Sequence, residues 1–330
     1  MTKIDIFSGF LGAGKTTLIK KLIEEAYRGE KLVLIENEFG EIGIDGGFLQ
    51  DAGIEITEMN SGCICCSLVG DFGKALRQVL EQYHPDRILI EPSGVGKLSD
   101  VIRAVQGLEM EEAVLNGFTT VADANKCKMY MKNFGEFFND QIENASCIVL
   151  SRTTGMTEKK LEDVVALLRG HNQTAAIITT PWEDLTGAQM LETMEKKNTL
   201  ESELAQLEQD AHEHHHHHDH DEECSCGHHH GHDHHHHHAD EVFTSWGVET
   251  TRKFTVEEIE DVLSQFTSGI YGAVLRAKGI VEGKDGRWIH FDYVPGEENV
   301  RHGAAATMGR LCVIGSKINT GAMAALFGVE

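Results

Sequence analysis

The stretch Gly9-Phe-Leu-Gly-Ala-Gly-Lys-Thr16 decides the fold, because it matches the phosphate-binding pattern G-x-x-x-x-G-K-[ST] at every required position. The short apolar segment Lys3–Phe7 comes directly before it, and helical periodicity begins at Lys15. In such a strand–loop–helix context, backbone N–H groups and the N-terminus of the helix converge on phosphates. We therefore predict that the nucleotide is bound by Gly9, Gly12, Ala13, Gly14, Lys15, Thr16 and Thr17.

The last positions of this loop have chemical roles of their own. Lys15 can reach the β- and γ-phosphates of a nucleoside triphosphate, and Thr16 can ligate Mg(II) through its hydroxyl. A later apolar strand ends on an acidic residue in Ile88-Leu-Ile-Glu-Pro-Ser-Gly94. Glu91 can polarise water on Mg(II), and Gly94 can bring its backbone N–H to the γ-phosphate. Lys15 and Glu91 are thus the predicted catalytic residues of a nucleoside triphosphatase.

The loop after the predicted strand Ser146–Leu150 is where a GTPase carries the guanine-binding motif Asn-Lys-x-Asp. This chain reads Ser151-Arg-Thr-Thr154 there. The absent aspartate would accept hydrogen bonds from guanine N1 and N2, so these residues do not distinguish guanine from adenine. Ser151 and Arg152 remain candidates for nucleotide binding, because an arginine can stack on a base. The alternative that this loop contacts no base stays open.

Three cysteines lie close together in the segment Asn60-Ser-Gly-Cys-Ile-Cys-Cys66, just before a predicted helix that starts near Ser67. A thiol at the N-terminus of a helix has a lowered pKa. Thiolates are suitable ligands for Zn(II), Cu(I) or Co(II). The candidate metal ligands here are Cys63, Cys65 and Cys66. A redox pair, or cysteines that only pack in a core, are the alternatives.

The acidic segment Glu36-Asn-Glu-Phe-Gly-Glu41 follows the second predicted strand, where a P-loop GTPase has its first switch. Its carboxylates Glu36 and Glu41 can complete a tetrahedral shell with the thiolates. An ion held between these two loops would bind differently in the triphosphate and diphosphate states. Hydrolysis could then drive metal loading or release.

Residues 201–241 form a strongly biased segment, which contains 12 acidic residues, no Lys or Arg, and 16 of the 20 histidines. Such a segment cannot bury apolar surface, so we predict a disordered linker over residues 199–241. Most imidazoles are neutral at pH 7 and free to ligate. We expect metal capture or storage here rather than one defined site, with candidate ligands Cys224, Cys226, His214, His228 and His234.

Strands and helices alternate over residues 1–198, which predicts an α/β P-loop NTPase domain with a mostly parallel sheet. The polar segment Asp184–Leu207 is predicted to be helical. Residues 242–330 predict a smaller C-terminal α+β domain. Its predicted elements are a strand at Phe243–Thr250, a helix at Thr255–Phe266, strands at Tyr271–Ile280, Gly286–Tyr293 and Gly309–Gly315, and a last helix from Asn319.

Composition excludes several classes of partner. The net charge of −24 argues against a nucleic-acid partner, which needs clustered Lys and Arg. There is no run of about 18 apolar residues, so we expect no membrane association. We expect no signal peptide, because no segment near the N-terminus has that pattern. The eight cysteines do not have the pattern of a disulfide framework, so we expect reduced thiols. We therefore expect a cytoplasmic protein.

Together these segments resemble the CobW-like family of P-loop GTPases, which includes zinc chaperones. The resemblance rests on Gly9–Thr17, Glu36–Asp45, Asn60–Cys66, Glu91–Gly94, Val274–Ile280 and Arg310–Gly315. It implies hydrolysis of GTP with Mg(II), and delivery of Zn(II) or Co(II) to a client metalloprotein or a cofactor-biosynthesis enzyme. It also implies an internal metal site that contains Cys65 with Glu36 and Glu41.

Two other functions remain open, and so does the oligomeric state. A metal-storage or buffering protein could use the nucleotide only as a structural ligand. A nickel insertase resembling HypB or UreG would also combine a histidine tract with a P-loop. A homodimer is an alternative to a monomer.

Overall fold

The computed structural model describes residues 1–36, 55–58, 69–108, 110–195 and 244–329. The chain divides into two compact units, Met1–Lys197 and Asn198–Glu330. Within the part of the chain that is described, no helix is both long enough and apolar enough to cross a membrane.

The first unit is built on a parallel sheet. Among the described residues its strands are β1 (Thr2–Gly9), β2 (Leu32–Glu36), β3 (Glu55–Glu58), β4 (Arg87–Glu91), β5 (Ala113–Asp123), β6 (Cys147–Ser151) and β7 (Ala176–Ile178). They lie in the order β3-β2-β4-β1-β5-β6-β7, and every neighbouring pair is parallel. The predicted α/β fold with a mostly parallel sheet is thus confirmed. β6 is buried along its whole length, as expected of a strand covered on both faces.

Helices fill the connections between these strands. They are α1 (Lys15–Glu25), α2 (Val69–Tyr83), α3 (Leu98–Gln106), α4 (Cys127–Glu143), α5 (Glu158–Arg169) and α6 (Gly187–Met194). α1 buries Leu18, Ile19, Leu22 and Ile23, a spacing that forms one apolar face of a helix. β2, β3 and β4 lie on one side of β1 in the sheet, and β5, β6 and β7 lie on the other. At such a switch in the direction of strand order, the carboxyl ends of the strands form a crevice that can hold a ligand.

The predicted helix over Asp184–Leu207 is wrong at its start. A short 3-10 turn at Trp182–Asp184 comes first, and α6 begins only at Gly187. The reason is a capping box, in which the Thr186 side chain accepts from the Gln189 amide and the Gln189 side chain accepts from the Thr186 amide. α6 ends at Met194, and residues 196–207 lie outside the described part of the chain.

A buried ion-pair network lies at the amino ends of the strands. Arg87, at the start of β4, pairs with Asp5, with Glu30 (Nε to Oε2, 2.7 Å) and with Glu195 (Nη2 to Oε1, 3.1 Å). Its guanidinium also lies 4.5 Å from the centre of the Tyr27 ring. The Arg87 side chain is only 2% exposed, so the network joins β1 and β4 to the residue that follows α6.

The second unit is an antiparallel sheet with two helices. The described strands are β8 (Thr244–Thr250), β9 (Ala273–Glu282), β10 (Trp288–Val294), β11 (Glu297–Gly303) and β12 (Gly309–Ser316), in the order β11-β10-β9-β12-β8. α7 (Val256–Gln265) and α8 (Thr320–Phe327) share a core with β9, β10 and β12. The predicted α+β architecture is confirmed.

β11 was missed by the sequence prediction. Its residues are exposed apart from the half-buried Val300, so it has no alternation of buried apolar and polar side chains. It is an edge strand that pairs only with β10 among the described strands, through the tight turn at Pro295-Gly296. Gly296 has a φ of 90°, a backbone conformation that glycine adopts without strain.

Candidate functional site

The phosphate loop connects β1 to α1 at the carboxyl edge of the parallel sheet. At Gly9 a Cβ atom would lie 2.3 Å from the Val121 carbonyl oxygen of β5, so only glycine lets the loop leave the sheet here. Gly14 begins α1 with a φ of 107°. The first turn of α1, which is fully described, carries no acidic residue of its own, which suits the binding of an anion at the helix N-terminus.

The side chains of Lys15, Thr16 and Glu91 meet at this edge. Lys15 is buried, and its Nζ donates to the Gly9 carbonyl oxygen (3.0 Å) and lies 3.9 Å from Glu91 Oε1. The Thr16 hydroxyl donates to both carboxylate oxygens of Glu91, at 3.2 and 3.3 Å. The structure therefore brings together the two predicted catalytic residues and the predicted Mg(II) ligand. Their roles remain predictions.

The donor set of this cluster fits Mg(II). A hydroxyl and a carboxylate are hard oxygen ligands, and they lie next to a helix N-terminus that suits phosphates. Mg(II) in protein sites is typically bound by one or two carboxylates together with phosphate oxygens and water. Thr16 and Glu91 are the residues that would hold it.

Gly94 lies directly against the phosphate loop. A Cβ atom at this position would be 2.9 Å from the Leu11 backbone nitrogen and 2.8 Å from Leu11 Cδ2. The Gln141 side-chain amide of α4 fixes the segment, because it donates to the carbonyl oxygens of Gly94 (3.1 Å) and Gly96 (2.8 Å). The loop after β4 is thus packed close to where the predicted phosphate site lies.

Glu36 is the one predicted ligand of the transferred metal that lies in the described part of the chain. It ends β2 and is the register partner of Glu91 on β4. Neighbouring strands are about 4.8 Å apart, so the two residues occupy adjacent places at the same edge. The other candidates, Glu41, Cys63, Cys65, Cys66, Cys224, Cys226, His214, His228 and His234, lie outside the described residues. Within the described ranges no cluster of three or more His, Cys, Asp or Glu residues could hold a metal.

A cleft of about 510 Å³ opens beside the phosphate loop. It is lined by Ala13, Gly14, Thr17, Asn125, Ser151, Arg152, Thr153, Thr154, Pro181, Trp182 and Glu183. These residues come from the phosphate loop, from α1 and from the loops that follow β5, β6 and β7. Its position, next to the start of α1 and at the carboxyl ends of the strands, is where a nucleotide's base and ribose would be bound.

The predicted nucleotide ligands Ser151 and Arg152 hold the phosphate loop by its carbonyl groups. The Ser151 hydroxyl donates to the Ala13 carbonyl oxygen (2.6 Å), and Arg152 Nη2 donates to the Gly12 carbonyl oxygen (2.9 Å). Arg152 also pairs with the buried carboxylate of Asp123, at the end of β5. Both residues line the cleft, and their described polar contacts position the loop.

Several cleft residues were not predicted from the sequence. Asn125 donates its side-chain amide to the Arg152 carbonyl oxygen (3.1 Å), and the indole N–H of Trp182 donates to the Leu150 carbonyl oxygen (2.8 Å). Glu183 follows Trp182 in the 3-10 turn after β7. The sequence indicated these residues only by their position, because each of them follows the carboxyl end of a predicted parallel strand.

This fold and this site define a P-loop nucleotide-binding protein. Two family models match the chain: "CobW/HypB/UreG, nucleotide-binding domain" over residues 3–179, and "Cobalamin synthesis protein cobW C-terminal domain" over residues 243–329. The first match covers more than half of the chain. The protein therefore belongs to the CobW/HypB/UreG family, and the resemblance to CobW-like proteins is confirmed.

Named relatives have similar descriptions. The chain is 35% identical over 166 residues to the zinc chaperone YeiR of Escherichia coli (strain K12). This aligned region covers 49% of this chain and 51% of that protein. The chain is 34% identical over 177 residues to the zinc chaperone CobW of Sinorhizobium sp, covering 45% and 50%. It is 28% identical over 209 residues to the zinc-regulated GTPase metalloprotein activator 1 of Schizosaccharomyces pombe, covering 59% and 50%. The chain thus matches about half the length of these curated relatives.

Solved structures that match this chain include the Zn(II)-bound YjiA GTPase from E. coli. The sequence identity is 20%, the TM-score is 0.44, and the match covers 99% of this chain and 98% of that one. HypB from Helicobacter pylori in complex with nickel has 13% identity and a TM-score of 0.42, covering 60% and 90%.

Proposed function

We propose that this protein is a GTP-hydrolysing metallochaperone that binds Zn(II), or Co(II), through its Cys63-Ile-Cys65-Cys66 motif and delivers it to a client metalloprotein. The observation that carries the proposal is the arrangement at the carboxyl edge of the sheet. Thr16 contacts Glu91, and Glu91 is the register partner of Glu36. A predicted phosphate site and a predicted metal ligand are therefore adjacent in one sheet.

The residues of this edge have separate roles in the proposed hydrolysis. The N-terminus of α1 and the Lys15 ammonium bind the negative charge of the triphosphate. Thr16 and Glu91 hold Mg(II), which when bound neutralises charge on the phosphates. Glu91 also orients the attacking water through its second carboxylate oxygen. Gly94 keeps the segment after β4 close to the loop, so that its backbone can sense the γ-phosphate.

Metal transfer is proposed to depend on the state of the nucleotide. The segment that starts at Glu36 would contribute carboxylates to the transferred ion, and the cysteine segment would contribute thiolates. Loss of the γ-phosphate changes the charge beside Glu91, one strand away from Glu36. In this proposal the change displaces one ligand of the ion. The triphosphate and diphosphate states would then bind the metal with different affinities, which delivery requires. The named zinc chaperones and the zinc-regulated GTPase among the relatives support this reading.

The test combines a hydrolysis assay with metal titrations. Phosphate release from GTP and ATP is measured with Mg(II) alone and with added Zn(II), Co(II) or Ni(II). Zn(II) affinity is then measured with no nucleotide, with GDP and with a non-hydrolysable GTP analogue, in a variant that lacks residues 211–240. We expect GTP hydrolysis, and a Zn(II) affinity that differs between the two nucleotide states. Equal affinity in all three states would refute the chaperone mechanism.

Two substitutions separate the parts of the proposal. Cys65→Ser should abolish the remaining tight Zn(II) site while nucleotide binding is retained. Glu91→Gln should slow GTP hydrolysis, while the variant should still bind GDP. Cys312→Ser is the matched control, because Cys312 is a buried cysteine of the second unit and is not one of the predicted metal ligands.

A metal-buffering function is the second candidate, and the histidine-rich segment favours it, since it holds 16 of the 20 histidines. Deleting residues 211–240 distinguishes the two functions. A buffer would lose nearly all tight Zn(II) binding, whereas the chaperone would keep one site that Cys65→Ser removes.

A further inference from the structure

The loop after β6 has a threonine where a guanine-binding loop has its aspartate. In Ser151-Arg-Thr-Thr154 the fourth position is Thr154. Its hydroxyl donates to Glu183 Oε2 at 3.4 Å. Both residues line the 510 Å³ cleft beside the phosphate loop. A carboxylate from the neighbouring loop thus lies within hydrogen-bond distance of the side chain that stands in the place of the missing one.

The turn that carries Glu183 is fixed relative to the phosphate loop. The Trp182 indole N–H donates to the Leu150 carbonyl oxygen at the end of β6 (2.8 Å). The same ring packs on the loop, because a Cβ atom at Gly14 would lie 3.3 Å from Trp182 Cη2. The backbone amide of Asp184 closes the turn by donating to the Pro181 carbonyl oxygen (3.0 Å). The position of the Glu183 backbone is therefore set by the same elements that form the phosphate site.

Arg152, the cationic residue of the cleft lining, has other partners. Its guanidinium pairs with Asp123 and donates to the Gly12 carbonyl oxygen, while the described partner of Glu183 is the neutral Thr154 hydroxyl. A carboxylate only accepts hydrogen bonds. Guanine presents two donors on one edge, N1–H and the N2 amino group, whereas adenine presents the N1 lone pair there. A carboxylate facing this edge would bind guanine through two hydrogen bonds and would repel adenine.

We propose that Glu183 is the guanine-reading residue of this protein and replaces the aspartate that the loop after β6 lacks. The inference rests on the proposed nucleotide function and adds its base specificity. Thr154 positions the carboxylate, and Trp182 holds the turn that carries it. Adenine nucleotides would still reach the phosphate loop, but without a partner for the purine edge.

The experiment is a set of binding titrations on the full chain with fluorescent ribose-labelled GDP, ADP and xanthosine diphosphate. Wild type should prefer GDP to ADP. Glu183→Gln keeps the size of the side chain and should weaken GDP binding about 10- to 100-fold, the effect of losing hydrogen bonds to a charged group. Xanthine has an N1–H donor beside an O2 acceptor, which a glutamine amide can match. The same variant should therefore gain affinity for xanthosine diphosphate.

Two further variants make the test independent of folding defects. Asp184→Asn changes the adjacent exposed carboxylate, which does not line the cleft, and should leave all three affinities unchanged. The double variant Thr154→Asp with Glu183→Ala restores a carboxylate at the position of the usual aspartate. It should recover the preference for GDP that Glu183→Ala alone loses.

The outcomes separate this inference from the proposed function. If wild type binds none of the three nucleotides, the proposed function itself fails. If wild type binds GDP and ADP equally, or if Glu183→Gln keeps the wild-type preference and gains no affinity for xanthosine diphosphate, nucleotide binding stands and the role of Glu183 is refuted.

Discussion

Replacing Arg87 by methionine should destabilise the first unit severely, because the guanidinium is the shared partner of several carboxylates. Arg87 pairs with Asp5, Glu30 and Glu195. The side chains of Asp5 and Glu195 are only 9% and 6% exposed, whereas Glu30 is 33% exposed and can turn to solvent. Methionine fills much of the same space but leaves the two buried carboxylates facing each other without this cation.

The expected cost follows from that burial. Removing one partner of a buried ion pair costs about 3–5 kcal/mol, because the other charge stays desolvated. Lys3 remains 2.9 Å from Glu195, which limits the loss on that side. We therefore expect Arg87→Met to lower the free energy of unfolding by about 3–4 kcal/mol at pH 7. A triple variant that adds Asp5→Asn and Glu195→Gln should recover part of this loss, since it leaves neither of the two buried carboxylates charged.

The effect should depend on pH in a defined direction. Burial raises the pKa of Asp5, although Arg87 and the Asn116 amide act to lower it. Removing Arg87 should raise this pKa further. A carboxyl group with a raised pKa in the folded state contributes stability that is present at low pH and is lost as pH rises through that pKa. The difference between Arg87→Met and wild type should therefore shrink when pH falls from 7 towards 5.

The measurement is hydrogen exchange of backbone amides in β1 and β4 as a function of urea, at pH 7 and pH 5, which reports on the first unit separately. Arg103→Met is the matched control, because Arg103 pairs with Asp100 while its side chain is 70% exposed. It should cost less than about 1 kcal/mol. The reasoning is refuted if Arg87→Met costs no more than Arg103→Met, or if its cost is the same at both pH values.

Three further predictions concern close contacts and a buried thiol. Gly94→Ala would place a Cβ 2.9 Å from the Leu11 backbone nitrogen, so the phosphate loop must shift and GDP binding should weaken about 10-fold by titration. Burial, followed by the charge of Asp123, raises the pKa of the Cys127 thiol to about 12. In the native protein this thiol should therefore react slowly with iodoacetamide at pH 8, which peptide mass spectrometry measures. Gly279→Ala would place a Cβ 2.2 Å from Phe291 Cε1 in the core of the second unit and should lower its free energy of unfolding by about 1–3 kcal/mol in urea.

Each of these predictions has a control and a contrary result. Gly321→Ala, in the second unit, adds a Cβ whose nearest neighbour is Asn319 Oδ1 at 3.8 Å, an ordinary contact. GDP affinity as low in this variant as in Gly94→Ala would rule out the Leu11 contact as the cause. Rapid native alkylation of Cys127, at the rate seen in urea, would contradict its burial. Unchanged urea unfolding of Gly279→Ala would show that Phe291 moves aside without cost.

Several features of the site were predictable from local pattern alone. The glycine spacing and the Lys15-Thr16 pair determine a phosphate loop, because only that strand–loop–helix geometry uses all of them together. Glu91 was predictable as the residue that ends an apolar strand. The sheet itself followed from alternating strand and helix signals, since each apolar strand needs cover on both faces.

Other features depend on residues that are distant in sequence, so only the tertiary structure could decide them. β11 has almost no buried side chain, and its pairing comes from β10. Arg152 and Ser151 contact carbonyl groups of the phosphate loop, and Glu183 reaches Thr154 across 29 positions of the chain. A local pattern predicts which backbone a segment adopts, because that depends on its own side chains and their periodicity. Which donor meets which acceptor depends on the order of strands in the sheet, and that order is set by long-range packing.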